Sequence, residues 1–169
     1  QNGETLHAES LFHEPGGKGY NQAVAAARLG AEVSYLTAVG RDADGAECED
    51  YLREEGVLLC CALKDAHTAY AAILTDRTGE NRVTVYPGAS ALLSGEDVRR
   101  FEEQIAAADF LILQNEIPEA ALAEAFALAE RHRVPVALNP APYAAWAAPY
   151  LRRAYVVTPN RSEAHALLG

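Results

Sequence analysis

The stretch Gly16-Gly-Lys-Gly-Tyr-Asn21 contains three glycines, one cation and one amide. It is followed directly by the helical pattern Gln22-Ala-Val-Ala-Ala-Ala-Arg-Leu29, which ends at Gly30. Glycine permits a positive φ and leaves no side chain between the backbone and a ligand. A helix N-terminus offers unpaired N–H groups and a partial positive charge. The stretch therefore suits an oxygen-rich ligand held against backbone amides. A plain glycine-rich turn that only starts a helix explains the residues equally well.

The glycine-rich stretch matches neither of the two common nucleotide-phosphate motifs. A Walker A loop has four residues between its glycines and a Ser or Thr directly after its Gly-Lys pair, whereas Gly19 follows Lys18 here. The dinucleotide pattern G-x-G-x-x-G fails as well, because no third glycine stands at the required position. We therefore reject both phosphate-loop interpretations.

Composition bounds the class of protein. The chain has 169 residues, of which 50% are hydrophobic, and this is enough for one domain with a sizeable core. The formal net charge of −10 argues against nucleic acid and anionic membrane as partners. No apolar run reaches the roughly 18 residues that a membrane span needs. The three cysteines, Cys48, Cys60 and Cys61, lack metal-ligand spacing, which indicates reduced thiols in a cytoplasmic protein.

Apolar runs that alternate with helical patterns predict an α/β fold. From Phe110 onward strands and helices alternate, which is typical of a parallel sheet with helices on both faces. We expect one domain over residues 1–169 with a doubly wound, mostly parallel sheet flanked by helices. The predicted strands cover residues 5–12, 32–39, 57–63, 68–75, 82–86, 110–113, 134–138 and 155–157, and the predicted helices cover residues 22–29, 44–55, 94–107, 118–132, 143–151 and 162–168.

The segment 68–86 interrupts this alternation, because its two strand patterns flank Asp76-Arg-Thr-Gly-Glu-Asn81, which has good hairpin chemistry. We expect a small antiparallel β lid that stands apart from the main sheet. A two-stranded ribbon alone is marginal in water. The strand over residues 5–12 is therefore predicted to extend the lid, and the lid of a second copy is predicted to cover it, which gives a homodimer.

Three polar clusters follow predicted strands directly. They are Gln114-Asn-Glu116, Asn139 and Thr158-Pro-Asn160. In open α/β sheets, ligands bind beyond the carboxyl ends of the strands. Any one cluster is ordinary loop chemistry, but three in register favour a shared binding site.

Several of these residues also have a structural interpretation that the sequence leaves open. Glu116 could cap the helix that follows it, and Asn21 could cap the helix after the glycine loop. Asn160 and Glu163 could instead belong to a capping box for the last helix, with Asn160 or Ser162 as the cap. Lys18 could be a solvated loop cation.

Residues near the glycine loop and the histidines receive no chemical role from the sequence. Asp42 and Asp44 are predicted to be turn and N-cap residues. His13 is predicted to be a solvated loop residue. The histidines show neither metal-ligand nor catalytic-triad spacing; they are His7, His13, His67, His132 and His165.

Long motifs give the chain a specific resemblance. The stretches Gly16–Gly30 and Val39-Gly-Arg-Asp-Ala-Asp-Gly45 resemble the N-terminal signature of the ribokinase family of carbohydrate kinases, the PfkB type. The similarity spans essentially the whole chain, because it continues through Gly79-Glu-Asn81, Pro87-Gly-Ala-Ser90, Asn139-Pro-Ala-Pro142 and Thr158-Pro-Asn-Arg-Ser-Glu163.

The resemblance implies a ribokinase-like fold and transfer of the γ-phosphoryl of ATP to a primary sugar hydroxyl, with ribose and ribose 5-phosphate as the expected pair. ATP and Mg²⁺ are the implied cofactors, and a monovalent cation is compatible with the family. Asn160 and Glu163 are implied to serve Mg²⁺ and phosphate, Glu163 through water. The implied sugar contacts are Gly17, Lys18, Asn21 and Glu116.

The resemblance also implies what this chain lacks. The family's catalytic aspartate lies in a Gly-Ala-Gly-Asp motif that does not occur here, so no catalytic residue is assigned. The chain has no Met and ends after a helical pattern has begun, which predicts a truncated portion of a longer protein that is inactive alone. Two alternatives remain: a kinase of the same fold for a nucleoside or another sugar, and a catalytically silent sugar-binding fragment.

Overall fold

The computed structural model describes residues 7–168. Its helices are α1 Lys18–Arg28, α2 Ala43–Glu54, α3 Gly95–Arg99, α4 Glu102–Ala107, α5 Glu119–His132, α6 Ala148–Leu151 and α7 Arg161–Leu168. Its strands are β1 Ser34–Gly40, β2 Leu58–Lys64, β3 Tyr70–Thr75, β4 Asn81–Tyr86, β5 Leu111–Gln114, β6 Val136–Asn139 and β7 Val156–Val157. Short 3-10 turns cover Gly88–Leu92 and Ala145–Ala147.

We call all elements other than β3 and β4 the body. The strands of the body are parallel, which confirms the predicted α/β class. Strand β1 pairs with β2, with Ser34 opposite Leu58. Strands β5, β6 and β7 form a second parallel sheet in that spatial order. Within the described residues, β1 and β5 are not hydrogen-bonded to each other. The two sheets nevertheless share one core, because Ala38 and Ala62 belong to the same buried cluster as Leu113 and Leu138.

Helix α5 supplies the centre of that core. Its apolar residues recur on one broad stripe, so Leu122, Phe126 and Leu128 are fully buried. The helix ends at Arg133, which adopts a left-handed conformation with φ 61°. A smaller cluster joins α1 to α2, and Tyr20 packs against it beside Ala23, Leu52 and Val57.

The segment 68–86 is an antiparallel hairpin, as predicted. Tyr70 pairs with Tyr86 at its base and Thr75 pairs with Asn81 at its tip. Asp76 orders the turn, because its Oδ1 accepts hydrogen bonds from the Thr78 amide at 2.8 Å and the Thr78 hydroxyl at 2.6 Å. Every residue of both strands is exposed. We call this element, residues 70–86, the hairpin.

Some predicted elements are wrong. The strand predicted over residues 5–12 is not formed by residues 7–12, all of which are exposed, whereas a half-buried strand would bury every second residue. Residues 5 and 6 lie outside the described part. The helix predicted over residues 94–107 divides into α3 and α4, because the Phe101 amide turns back to the Val98 carbonyl. The helix predicted over residues 143–151 is a 3-10 turn and a short α6, because Pro149 removes an amide donor.

No helix in the described part of the chain is both long enough and apolar enough to cross a bilayer.

Candidate functional site

The carboxyl ends of three parallel strands meet at one edge of the second sheet. Gln114 at the end of β5 is in register with Asn139 at the end of β6. The Asn139 Nδ2 donates to the Thr158 carbonyl oxygen at 2.7 Å, which fixes the residue after β7 beside it. The three polar clusters predicted from the sequence therefore lie together at this edge.

Glu116 binds the glycine loop across 98 residues of sequence. Its Oε2 accepts a hydrogen bond from the Lys18 amide at 2.8 Å, and its Oε1 accepts one from Lys18 Nζ at 2.9 Å. Helix α5 begins after Pro118 without a side-chain cap, so the capping interpretation of Glu116 is not what is observed. Lys18 is accordingly held by a carboxylate instead of being a free loop cation.

The glycines of the loop are needed by the local geometry. Gly17 is the residue before α1 and has φ 98°, a conformation that side chains rarely adopt. A Cβ on Gly19 would lie 3.0 Å from the Tyr35 ring and 3.1 Å from the Gln114 side chain. Side chains from two sheets therefore approach the start of α1 closely, and a side chain at position 19 would require them to shift.

Asn21 lies in the first turn of α1 and is not its N-cap, because the helix begins at Lys18. The sequence prediction of a cap at Asn21 is wrong for this reason: the positive φ of Gly17 starts the helix one turn earlier. Gln22 was not predicted as a site residue, yet its side chain bonds to that of Gln114. Its position four residues after Lys18 places both on one helical face, which is the signal that identifies it.

An open cleft of about 490 Å³ joins the two ends of the site. It brings the predicted sugar residues Lys18 and Asn21 together with the predicted metal residues Asn160 and Glu163. Gly17 and Glu116 adjoin it through their contacts with Lys18. The remaining lining residues are Gln22, Asn139, Ala141, Thr158 and Pro159.

Asn160 and Glu163 cap the last helix reciprocally. Glu163 Oε2 accepts from the Asn160 amide at 2.8 Å, and Asn160 Oδ1 accepts from the Glu163 amide at 2.8 Å. Asn160 Nδ2 also donates to Glu163 Oε1 at 2.9 Å. The capping interpretation left open by the sequence is thus observed. Both side chains also line the cleft, where Asn160 is exposed and Glu163 is half-buried.

Two groups outside the cleft bear on the predictions. His13 lies 3.7 Å from an Asp44 oxygen and 3.5 Å from a Glu47 oxygen, a grouping that the sequence spacing did not predict because the contacts join a loop to a helix. The cysteines are all free. Burial raises the pKa of the Cys60 thiol, and burial with the nearby Glu49 raises the pKa of Cys61 to about 11, so both disfavour the reactive thiolate.

Known proteins that are similar to this chain include ribokinases. The chain is 38% identical over 170 residues to the bifunctional ribokinase/ribose-5-phosphate isomerase A of Fructilactobacillus sanfranciscensis, covering 99% of this chain and 32% of that protein. It is 37% identical over 169 residues to the ribokinase of Haemophilus influenzae, covering 99% of this chain and 55% of that protein. The chain thus spans about half, or less, of the length of these relatives.

The fold comparison gives the same result. A solved structure of Arabidopsis thaliana ribokinase with ribose and ATP superposes with a TM-score of 0.84 at 25% identity, covering 99% of this chain and 55% of that one. The family model described as pfkB family carbohydrate kinase matches residues 1–169. The chain therefore belongs to the pfkB family of carbohydrate kinases.

Proposed function

We propose that this protein is an ATP-dependent sugar kinase that transfers the γ-phosphoryl group of ATP to the primary hydroxyl of ribose and yields ribose 5-phosphate. The observation that carries the proposal is the bond between Glu116 and Lys18, which fastens the glycine loop to the end of β5. The relatives named ribokinase and the solved complex with ribose and ATP support the choice of substrates.

The sugar end of the cleft has the chemistry that hydroxyl groups require. Glu116 offers carboxylate lone pairs, and charged acceptors form the stronger hydrogen bonds. Lys18 Nζ donates, and the Asn21 amide both donates and accepts. Gly17 leaves its backbone uncovered toward Glu116, since even a Cβ there would be 3.7 Å from the carboxylate. We assign sugar binding to these four residues.

The other end of the cleft fits a hydrated Mg²⁺ ion with the phosphates of ATP. Asn160 and Glu163 present hard oxygen ligands to the open cleft, and Mg²⁺ usually keeps several of its waters. Because Glu163 is engaged by Asn160, it would hold the ion through water. The ion would offset negative charge on the transferring phosphoryl group.

We assign no catalytic base to residues 7–168. Both acids of the cleft are engaged, Glu116 with Lys18 and Glu163 with Asn160. A base must lie within about 3 Å of the hydroxyl it deprotonates. Because the family's Gly-Ala-Gly-Asp motif does not occur in residues 1–169, the proposal takes the base from outside them and expects residues 1–169 alone to be inactive.

The hairpin leads to a proposal about assembly. Its exposed apolar side chains would be covered by the hairpin of a second copy, which gives a homodimer.

The cysteines lead to a proposal about location. The three free cysteines are compatible with a reducing compartment, and we place the protein in the cytoplasm.

A coupled ADP-release assay on the full-length protein tests the activity, with ribose, 2-deoxyribose and adenosine as substrates. Ribose should give the highest kcat/KM, and residues 1–169 alone should give none. Preference for adenosine would make the protein a nucleoside kinase. Turnover by residues 1–169 alone would show that the catalytic group has been misplaced.

Calorimetric titration of ribose tests the site residues separately. Glu116→Gln should weaken ribose binding by about 1.5–3 kcal/mol, because a charged acceptor becomes neutral. ATP binding should be unchanged. The matched control is Glu119→Gln, an exposed carboxylate three residues later at the start of α5. Equal ribose affinities of Glu116→Gln and the parent would remove Glu116 from the site.

A further inference from the structure

The hairpin meets the body at a polar junction. Thr68, which precedes β3, donates its amide to Asp42 Oδ2 at 2.7 Å and its hydroxyl to Asp42 Oδ1 at 2.6 Å. The same hydroxyl accepts the Gly40 amide at 3.0 Å. Thr68 is 8% exposed, so these bonds are largely removed from water. We call Asp42, Thr68 and Gly40 the hairpin junction.

Asp42 joins this junction to α2. Its Oδ1 also accepts the Gly45 amide at 3.0 Å, so it caps the helix as the sequence predicted. The hydrogen bonds from the Thr68 hydroxyl and amide lower the pKa of Asp42 to about 2. The carboxylate therefore stays ionised at neutral pH and holds the end of β1, the start of α2 and the stem of the hairpin together.

Glycines make the junction tight. A Cβ on Gly40 would lie 2.2 Å from the Ala66 carbonyl oxygen, and one on Gly88 would lie 2.3 Å from the His67 carbonyl oxygen. A Cβ on Gly45 would lie 2.6 Å from the Gly40 carbonyl oxygen. Each obstacle is backbone, which cannot rotate away. The glycines at 40, 45 and 88 thus let three backbone segments approach one another.

Both stems of the hairpin pass through this place. The chain enters β3 just after Thr68 and leaves β4 just before Gly88. The Ala89 amide donates to the His67 carbonyl oxygen at 2.8 Å, which ties the outgoing stem to the incoming one. Because every residue of β3 and β4 is exposed, the hairpin has no core of its own to hold its position. Its orientation depends on the junction.

The hairpin also touches the segment that leads into the glycine loop. Near the hairpin tip, Arg77 donates to Glu9 at 2.7 Å. Near the base, the rings of His13 and Tyr70 stack with centroids 6.3 Å apart. Three residues after His13 the chain reaches Gly16 and the start of the site. Residues 9–16 therefore connect the hairpin to the start of the glycine loop.

We propose that Asp42 and Thr68 are positioning residues for the sugar site. They touch neither end of the cleft, and they act by fixing the stem of the hairpin and, through residues 7–17, the glycine loop. The inference rests on the proposed function for its kinetic consequence. The geometric part, control of hairpin order by the junction, stands without it.

The test variant is Thr68→Val, which keeps the shape of the side chain and removes its hydroxyl bonds to Asp42 and Gly40. In the full-length protein, hydrogen exchange measured by mass spectrometry should rise about tenfold in peptides covering the hairpin and stay unchanged in peptides covering α5. The KM for ribose should rise about tenfold or more while the KM for ATP is unchanged, because a displaced loop weakens sugar binding specifically.

Three further variants make the result decisive. Thr68→Ser restores the hydroxyl and should return both hairpin exchange and the ribose KM to the parent values. Thr84→Val, an exposed threonine in the hairpin itself, should change neither. If Thr68→Val fails to fold, Asp42→Asn takes its place as the test variant and should raise both hairpin exchange and the KM for ribose.

The outcomes separate this inference from the proposed function. The inference would be overturned if Thr68→Val raised the exchange rate no more in the hairpin than in α5, relative to the parent. It would also be overturned by a loss of stability without a change in the KM for ribose. If the parent protein phosphorylates no sugar, the proposed function fails. The exchange comparison then still decides whether the junction orders the hairpin.

Discussion

The hairpin and the body around α5 use similar apolar residues in opposite surroundings. In the hairpin, Ile73, Val83 and Val85 lie on one face and are 58%, 56% and 63% exposed. In the body, Phe126 and Leu138 are 0% exposed. The body is therefore stabilised by burial of apolar surface. The hairpin is held by its strand pairing, its turn and its junction.

This difference indicates which part of the molecule can move in response to a ligand or a partner. Elements with few buried contacts open at low free-energy cost, whereas core elements open only with global unfolding. In the proposed site, Glu116 follows β5 in the body. Gly17 and Lys18 lie at the end of a segment that contacts the hairpin.

The largest expected effect contrasts the two regions directly. Phe126→Ala should lower the free energy of unfolding by about 3–5 kcal/mol, because it leaves a cavity in the shared core. Val83→Ala in the hairpin should cost less than about 1 kcal/mol, because its side chain is already half exposed. Urea unfolding of both variants measures the two values. Similar losses would show that the hairpin shares the stability of the body.

The sequence predicts the body better than the hairpin and its junction, for a physical reason. Apolar runs such as 110–113 and 134–138 record burial locally, and β5 and β6 form where those runs lie. The contact between Thr68 and Asp42 spans 26 residues and leaves no periodic pattern. Asp42 was predicted only as a cap, and the role of its second oxygen required the fold.

The site was predictable to a similar, limited degree. Strand ends indicated Glu116, Asn139 and Asn160, because the carboxyl ends of parallel strands converge. The pairing of Glu116 with Lys18 joins residues 98 apart. The family resemblance implied that both bind sugar but did not predict the bond between them. For residues 7–12 the sequence predicted an element that is not observed. A loose alternation of residue types predicted a strand, but all six residues are exposed.

The second prediction concerns the exposed face of the hairpin. Val85→Glu should weaken the proposed homodimer at least about tenfold in Kd, or about 1.4 kcal/mol, because it places a charge in an apolar interface. Leu58→Glu, on an exposed leucine of β2 in the body, should leave the dimer intact. Analytical ultracentrifugation of the full-length protein measures both. A monomeric parent at high concentration would contradict the dimer itself.

The smallest expected effect tests a charge on the body side. Asp97 is 4% exposed and accepts Lys64 Nζ at 2.6 Å and the Ser94 amide at 2.8 Å. Burial alone would raise the pKa of Asp97, but the bonds from Lys64 and Ser94 outweigh it and lower the pKa to about 2. A carboxyl group whose folded pKa lies below its unfolded value near 3.8 stabilises the fold above that value. This stabilisation is lost as the pH falls toward 2.

Asp97→Asn should therefore lower the free energy of unfolding by about 1 kcal/mol at pH 6, where the parent carboxylate is fully ionised. The asparagine oxygen can still accept from Ser94, which keeps the loss modest. The difference between variant and parent should shrink between pH 4 and pH 2, because the unfolded parent binds a proton on Asp97 below about pH 3.8 while the folded parent does so only near pH 2. Asp50→Asn in α2 is the control, because the ion pair of Asp50 with Arg53 is exposed on both sides and contributes little to stability. A gap that stays constant down to pH 2 would mean that Asp97 stabilises the body by packing, and that its ion pair with Lys64 contributes nothing.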